Sequence, residues 1–122
     1  MKNYLSTYYE FEKKPITNYQ ENFVNYNVLR FDLSNKKLLE IGCGRGDIIN
    51  RFVKKNIKCY ATDILFDSSK YLSTDIKFTQ NNIEKEKLPY DDNFFDAIYT
   101  KSLLEHIRNH DLFFKECKRV LK

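Results

Sequence analysis

A strand-to-helix turn built on glycines, at residues 38–47, constrains this sequence more than any other feature. The apolar residues that begin the stretch give way to glycines at every second position, Gly42, Gly44 and Gly46. Such a turn lets the backbone approach a ligand closely and leaves amides open where the next helix starts. The dinucleotide pattern G-x-G-x-x-G would require a third glycine where this chain has Asp47. Because a carboxylate repels a pyrophosphate, the turn favours a nucleoside ligand without phosphates over NAD or FAD.

Hydrophobic periodicity predicts strands that alternate with helices. Apolar runs predict strands over residues 37–41, 57–62, 75–80 and 94–100. Helical spacing predicts helices over residues 18–31, 47–55, 64–73, 102–107 and 111–121, with a shorter one before Pro15. Strands that alternate with helices form a parallel sheet with right-handed crossovers, so the expected fold class is α/β with helices on both faces.

The composition limits the chain to one globular domain of modest size. Its 122 residues are 42% hydrophobic, and the formal net charge of +4 comes from 21 basic and 17 acidic residues. The basic residues are scattered lysines without an arginine-rich stripe, which argues against nucleic acid as a partner. We find no run of about 18 apolar residues and no signal-peptide pattern, and therefore expect no membrane span.

The three cysteines, Cys43, Cys59 and Cys117, have no paired spacing. An odd number without a C-x-x-C pair argues against a disulfide scaffold and against a zinc site. The histidines His106 and His110 lack partner cysteines nearby. We therefore expect no metal site and a reducing, cytoplasmic location.

Three features follow successive predicted strands, at the edge of a parallel sheet where ligands bind. The first is the glycine turn, whose open amides suit a carboxylate. The second is Asp63, 21 positions after Gly42, where a carboxylate can accept both hydroxyls of a ribose. The third is Asn82 with Ile83, an amide and an aliphatic side chain suited to an adenine. Each alone is more often structural, but their order and spacing together predict a nucleoside-binding cleft.

The sequence resembles the class I S-adenosylmethionine-dependent methyltransferases, of the small-molecule type often grouped with the ubiquinone-biosynthesis enzymes. The resemblance rests on the segments LEIGCGRG at 39–46, ATDI at 61–64, LPYDDNFFDAIY at 88–99, and SLLEHI with ECKRVLK at 102–107 and 116–122. It implies a Rossmann-like domain over residues 36–122 that binds S-adenosylmethionine. The tyrosine-rich segment at residues 1–35 is expected to form a packed helical cap or, alternatively, a lid over the cofactor or acceptor.

The resemblance also implies which residues contact the cofactor. Gly42, Cys43 and Gly44 would line its methionine and ribose portions within a turn completed by Gly46, and Glu40 would order that turn. The other implied contacts come from the loops after the next three strands: Asp63 to the ribose, Ile64 on the adenine, Asn82 and Ile83 at the adenine edge, and the backbone of Thr100 and Lys101 at the methyl-donor end.

His106, beside Glu105, is the candidate catalytic base for an acceptor that must lose a proton. The alternative is a histidine that packs and hydrogen-bonds locally near the cleft. The sequence contains neither an Asn/Asp-Pro-Pro-Tyr signature nor a Pro-Cys nucleophile after the fourth strand. The expected acceptor is therefore a small metabolite, lipid or sugar.

Members of the family usually continue beyond the segment that ends this chain at Lys122. We therefore expect only the cofactor half of the sheet, with strand order 3-2-1-4 and an apolar fourth-strand edge at residues 94–99. A bare apolar edge is an aggregation hazard, so we expect a second copy or a partner chain to cover it. The alternative function is a non-catalytic S-adenosylmethionine-binding subunit or remnant that associates with a partner.

Overall fold

The computed structural model describes residues 17–122 and places four parallel strands in one sheet. The elements in chain order are α1 (Asn18–Phe31), β1 (Lys37–Ile41), α2 (Ile49–Phe52), β2 (Lys58–Asp63), β3 (Lys77–Gln80), β4 (Ala97–Tyr99) and α3 (His110–Val120). Short 3₁₀ turns lie at Val53–Lys55, Phe66–Tyr71 and Leu104–His106. The strand order β3-β2-β1-β4 confirms the predicted 3-2-1-4 arrangement. The predicted helix before Pro15 lies outside the described residues.

Strand β1 lies between β2 and β4 and carries apolar side chains on both faces. Leu38 packs in one buried cluster with Val24 and Phe52. Leu39 packs in a second cluster on the other face, together with Phe95. A strand covered on both faces has a largely apolar sequence, which is why the bounds of β1 were predicted to the residue.

Helix α1 is capped at both ends and packs on the first cluster. The Thr17 hydroxyl accepts a hydrogen bond from the Tyr19 amide, and the Gln20 side chain accepts one from the Thr17 amide. Such a reciprocal pair satisfies amides that the first helical turn leaves open. The helix ends at Phe31, and the residue after it, Asp32, adopts a left-handed conformation with a φ of 50°. Val24 is fully buried, so this part of the segment 1–35 shares the core of the sheet, and a separate cap role stays a prediction.

Helix α2 begins at Ile49, two residues later than predicted, and lasts one turn. The Gly46 amide donates to the Cys43 carbonyl, which closes a tight turn over residues 43–46. The Gly46 carbonyl accepts from the Asn50 amide, and this bond leads into the helix. Asn56 ends the following 3₁₀ turn with a φ of 60°, a left-handed conformation that asparagine can adopt at a helix end.

The segment after β2 forms a 3₁₀ turn in place of the predicted helix over 64–73. The Ser68 amide donates to the Leu65 carbonyl, and the Leu72 amide donates to the Ser69 carbonyl. Both bonds span three residues, which is the 3₁₀ pattern.

Strand β4 is shorter than the predicted strand over 94–100 because the residues before it pair with the end of α3. The amides of Phe94 and Phe95 both donate to the Val120 carbonyl. Phe95 also forms a parallel bridge with Leu121, and its carbonyl accepts a bond from the Lys122 amide at 3.0 Å. The chain itself therefore covers the first part of the edge that was predicted to be bare, and Phe95 is fully buried.

Candidate functional site

The glycine turn lies at the carboxyl end of β1, and four of its amides are bonded within the protein. The Gly42 and Cys43 amides donate to the Thr62 carbonyl at 2.8 and 3.0 Å. The Gly44 amide donates to the Asp63 carboxylate at 2.8 Å, and the Gly46 amide donates to the Cys43 carbonyl at 2.9 Å. These four amides are therefore not open to a ligand carboxylate, and the expectation that amides at the start of the next helix bind one stays a prediction.

Asp63 ends β2 and joins the loops on either side of it. Its Oδ2 accepts from the Gly44 amide at 2.8 Å and its Oδ1 accepts from the Leu65 amide at 3.0 Å. The side chain is 4% exposed, so it is held in one orientation beside the glycine turn. A carboxylate can accept about four hydrogen bonds, so the bonds to two amides are compatible with hydroxyl ligands as well.

Glu40 is buried in β1 and bonded to the next strand. Its Oε1 accepts a hydrogen bond from the Tyr99 hydroxyl in β4 at 2.8 Å. Burial raises the pKa of Glu40 to about 8, and the bond from Tyr99 opposes that rise in part. Near neutral pH the side chain is therefore mostly protonated. Tyr99 was not predicted as a site residue, although an acidic residue inside an apolar strand signals that a hydrogen-bond partner is needed.

The Asp47 carboxylate, which was expected to repel a pyrophosphate, is neutralised by the neighbouring Arg45. The buried Arg45 side chain donates to both carboxylate oxygens of Asp47, at 2.7 and 2.8 Å. A two-point pair of this kind fixes both groups. The charge of Asp47 is therefore a weaker argument against a phosphate ligand. The absence of the third glycine of the dinucleotide pattern still argues against NAD or FAD.

The two isoleucines predicted at the adenine lie in different environments. Ile64 follows Asp63 directly and is 36% exposed, which leaves aliphatic surface beside the carboxylate. Ile83 is buried in the second cluster, where it packs with Leu88 and Phe95. Ile64 is therefore placed to contact a ligand, whereas Ile83 supports the wall of the core.

The loop after β3 holds two asparagines with different roles. The Asn82 Oδ1 accepts from the Glu84 amide at 3.1 Å, so this side chain closes a turn. Asn81 was not predicted as a site residue; its backbone amide donates to the Asp63 carbonyl and its Nδ2 donates to the Lys87 carbonyl. The Asn81 Oδ1 is buried without a hydrogen-bond partner among residues 17–122. A buried acceptor left unpaired costs about 1–3 kcal/mol, which makes Asn81 the candidate in this loop for bonding a ligand donor.

The segment at residues 100–103 contacts the end of β1 through Thr100 and the glycine turn through Leu103, and the roles implied for Thr100 and Lys101 at the cofactor stay predictions. The Thr100 hydroxyl donates to the Ile41 carbonyl at 2.9 Å. A Cβ added to Gly42 would lie 3.1 Å from the Leu103 side chain, so this leucine borders the turn. Lys101 is exposed, and its Nζ lies 4.5 Å from the centre of the Tyr19 ring.

His106 lies in the 3₁₀ turn after β4 and is largely exposed. Its Nε2 is 3.7 Å from Oε1 of Glu105, and its amide donates to the Leu103 carbonyl at 2.9 Å. The backbone of His106 is therefore bonded to Leu103, the residue whose side chain lies beside Gly42. A role of His106 as a base stays a prediction.

Replacing Gly46 with alanine is expected to lower the free energy of unfolding by about 2–3 kcal/mol. Gly46 has a φ of 82°, which favours glycine, and an added Cβ would contact the Leu72 side chain and lie 3.1 Å from the Asn50 Nδ2. Asn50 resists displacement because its side chain bonds to the Tyr71 carbonyl and the Ser73 amide, at 2.9 and 2.8 Å. Urea unfolding measures the loss.

Gly42→Ala is the matched control for Gly46→Ala. Gly42 has a similar φ of 78°, but the three atoms nearest to an added Cβ all belong to the flexible Leu103 side chain. The loss in Gly42→Ala is therefore expected to be smaller. Equal losses would contradict the account of Asn50 as a fixed neighbour.

The groups assembled here suit a nucleoside. A fixed carboxylate beside an exposed aliphatic side chain, at the carboxyl end of parallel strands, can bind a ribose and its base. Among residues 17–122, no group of three histidine, cysteine or acidic side chains is placed to hold a metal ion.

A family model described as a methyltransferase domain matches residues 39–122. The tRNA U34 carboxymethyltransferase of Nautilia profundicola is 27% identical over 110 residues, covering 81% of this chain and 36% of that protein. The sterol 24-C-methyltransferase ERG6B of Gibberella zeae is 31% identical over 96 residues, covering 70% of this chain and 25% of that protein. The chain thus spans about a third and a quarter of the length of these relatives.

Solved structures share the fold. A Methanococcus maripaludis protein described as an S-adenosylmethionine-dependent methyltransferase has a TM-score of 0.84 at 19% identity, covering 97% of this chain and 57% of its own. Coclaurine N-methyltransferase bound to N-methylheliamine and SAH has a TM-score of 0.70 at 16% identity, covering 84% and 32%. The [4+2]-cyclase SpnF has a TM-score of 0.70 at 27% identity, covering 84% and 41%. The expected Rossmann-like fold is confirmed.

Proposed function

This chain belongs to the methyltransferase domain family over residues 39–122, and from that membership we propose that it binds S-adenosylmethionine and takes part in methyl transfer. The observation that carries the proposal is the Asp63 carboxylate, fixed between the Gly44 and Leu65 amides at 2.8 and 3.0 Å. In this position a carboxylate can accept the ribose hydroxyls. The exposed Ile64 side chain offers a surface for the adenine, and the unpaired Asn81 Oδ1 offers an acceptor.

When bound, S-adenosylmethionine supplies a methyl group on a positively charged sulfur, which is electrophilic without further activation. The chain then has to hold the acceptor in line with that methyl group, and orientation is worth about 7–11 kcal/mol at best. Leu103 packs beside Gly42 of the glycine turn, where we propose that this alignment takes place. We assign to His106 the removal of a proton from an acceptor that must lose one.

The acceptor that we propose is a small molecule, a lipid or a sugar. The matched relatives are a tRNA carboxymethyltransferase and a sterol methyltransferase, so family membership leaves the acceptor class open. The scattered lysines favour the smaller acceptors over RNA, because a nucleic-acid surface usually carries clustered basic residues.

Calorimetry with S-adenosylmethionine and S-adenosylhomocysteine tests cofactor binding, and mass spectrometry of candidate acceptors tests transfer. The proposal predicts binding of both nucleosides and a mass increase of one methyl group in an acceptor. Binding without product across a broad acceptor panel favours a non-catalytic binding subunit. Absence of binding would contradict the proposal.

We propose that a second copy of the chain covers the remaining edge of β4. Residues Ala97–Tyr99 pair with β1 on one side, and no other strand of the described chain pairs with them. Ile98 and Tyr99 are half-buried there. A pair of such edges would satisfy both backbones. Sedimentation velocity is expected to give a dimer, and a monomer at high concentration would count against this arrangement.

We place the protein in the cytoplasm, on the basis of its cysteines. Cys43 and Cys59 are buried free thiols, and Cys117 is a partly buried one, which suits a reducing compartment. No helix within residues 17–122 is long and apolar enough to cross a membrane.

A further inference from the structure

We propose that the ammonium group of Lys101 binds the α-carboxylate of the methionine portion of S-adenosylmethionine, and that the ring of Tyr19 holds the lysine in position. The inference rests on the proposed function and deepens it, because it names a protein group for the amino-acid end of the cofactor. Two observations support it: the internal hydrogen bonds of the glycine turn and the unpaired charge of Lys101 among residues 17–122.

Four amides of the glycine turn are bonded within the protein and are therefore not available to a ligand carboxylate. Gly42 and Cys43 donate to the Thr62 carbonyl, and Gly44 donates to Asp63. A carboxylate that leaves water requires another positive or donating partner. The partner has to lie beside the turn, since the methionine portion is joined to the ribose that Asp63 would bind.

The backbone of Lys101 lies between two residues that contact the end of β1 and the turn. The Thr100 hydroxyl before it bonds to the Ile41 carbonyl, immediately ahead of the glycine turn, and the Leu103 side chain after it borders Gly42. Ser102 adopts a φ of 58°, a conformation that non-glycine residues rarely hold and that is concentrated at functional sites. The residues on both sides of Lys101 are thus anchored to the turn.

The positive charge of Lys101 is not neutralised within the described chain. None of the ion pairs found among residues 17–122 includes Lys101. Glu40 is close enough for the two charges to interact, but burial raises its pKa to about 8 and keeps it mostly uncharged at neutral pH. The Tyr19 ring, 4.5 Å from the Lys101 Nζ, attracts the ammonium without cancelling its charge. A ligand carboxylate would supply the missing counter-charge.

Paired probes isolate the carboxylate. S-adenosylhomocysteine carries the amino-acid group, whereas 5′-methylthioadenosine has the same adenosine and sulfur without it. Calorimetry is expected to show that Lys101→Gln weakens binding of S-adenosylhomocysteine about tenfold, as for loss of one charge-assisted hydrogen bond. Binding of 5′-methylthioadenosine is expected to stay unchanged. Lys58→Gln, at an exposed lysine on the opposite end of the sheet, is the matched control and is expected to bind both probes like wild type.

The Tyr19 contribution is tested with two substitutions. Tyr19→Phe keeps an aromatic ring and is expected to bind S-adenosylhomocysteine like wild type, whereas Tyr19→Leu removes the ring and is expected to weaken binding by about threefold. Equal binding by Tyr19→Leu and Tyr19→Phe would overturn the role of the ring.

Other outcomes overturn the proposal in distinguishable ways. Unchanged S-adenosylhomocysteine affinity in Lys101→Gln overturns this inference alone, and unchanged affinity with reduced turnover assigns the ammonium to an anionic acceptor instead. An equal loss for both probes also overturns it, because the substitution then acts on the cleft and not on the carboxylate. Wild-type protein that binds neither probe overturns the proposed function together with this inference.

Discussion

Replacing Asp63 with asparagine is expected to lower the affinity for S-adenosylhomocysteine about 100-fold or more, as for loss of two hydrogen bonds to a charged acceptor. Asparagine has one acceptor oxygen and one donor nitrogen. Its amide group would therefore face either the Gly44 or the Leu65 amide donor to donor, where the carboxylate now accepts from both. The substitution removes the charged ribose acceptor and loosens the two loops that position it.

Isothermal titration calorimetry measures the affinity, and thermal unfolding of the same samples reports whether the fold is intact. Asp91→Asn is the control, because Asp91 is an exposed carboxylate in the loop before β4 and the charge change is identical. We expect Asp91→Asn to bind like wild type. If folded Asp63→Asn bound S-adenosylhomocysteine as tightly as wild type, Asp63 would not be a ribose ligand.

The free energy of unfolding of wild type is expected to fall relative to that of Glu40→Gln as the pH rises from about 4.5 to about 8, by on the order of 1 kcal/mol per pH unit at most. Burial raises the pKa of Glu40 from its ordinary value of 4.5 to about 8. Between these pH values the folded chain holds a proton that the unfolded chain has lost. Unfolding then releases a proton, so rising pH favours the unfolded state.

Urea unfolding at several pH values between 4 and 9, a range chosen to span both pKa values of about 4.5 and 8, measures this difference. Glutamine is uncharged and keeps an oxygen that can accept from the Tyr99 hydroxyl, so Glu40→Gln reproduces the protonated side chain at every pH. Tyr99→Phe adds a second arm: the bond from Tyr99 lowers the pKa of Glu40, so its removal is expected to extend the pH-dependent range upward. Parallel stability curves for wild type and Glu40→Gln would show that Glu40 is ionised in the folded protein.

The features predicted correctly from sequence are those that depend on local pattern. Strand β1 was predicted to the residue because both its faces are buried and its buried residues other than Glu40 are all apolar. Helix α1 was predicted with its bounds at Asn18 and Phe31, next to turn residues that end a helix by local chemistry. The strand order followed from the alternation of elements and from the family resemblance.

The features that sequence did not reveal depend on contacts between distant segments. Nothing near the glycine turn indicates that the Thr62 carbonyl takes two of its amides, since that bond joins the ends of two strands. The pairing of Tyr99 with Glu40 depends in the same way on the register between β1 and β4. Asn81 and Asn82 are adjacent and chemically alike, so only the fold distinguishes the one that closes a turn from the one with an unpaired oxygen.

A crystal structure of the chain with S-adenosylhomocysteine tests the central claim most directly. The account predicts a ribose hydroxyl within about 2.5–3.0 Å of an Asp63 carboxylate oxygen, the normal range for such bonds. It also predicts the adenine against Ile64, with the loops around Gly44 and Leu65 unchanged. A nucleoside bound away from the carboxyl ends of β1 and β2, or an Asp63 side chain that does not contact the ribose, would contradict it.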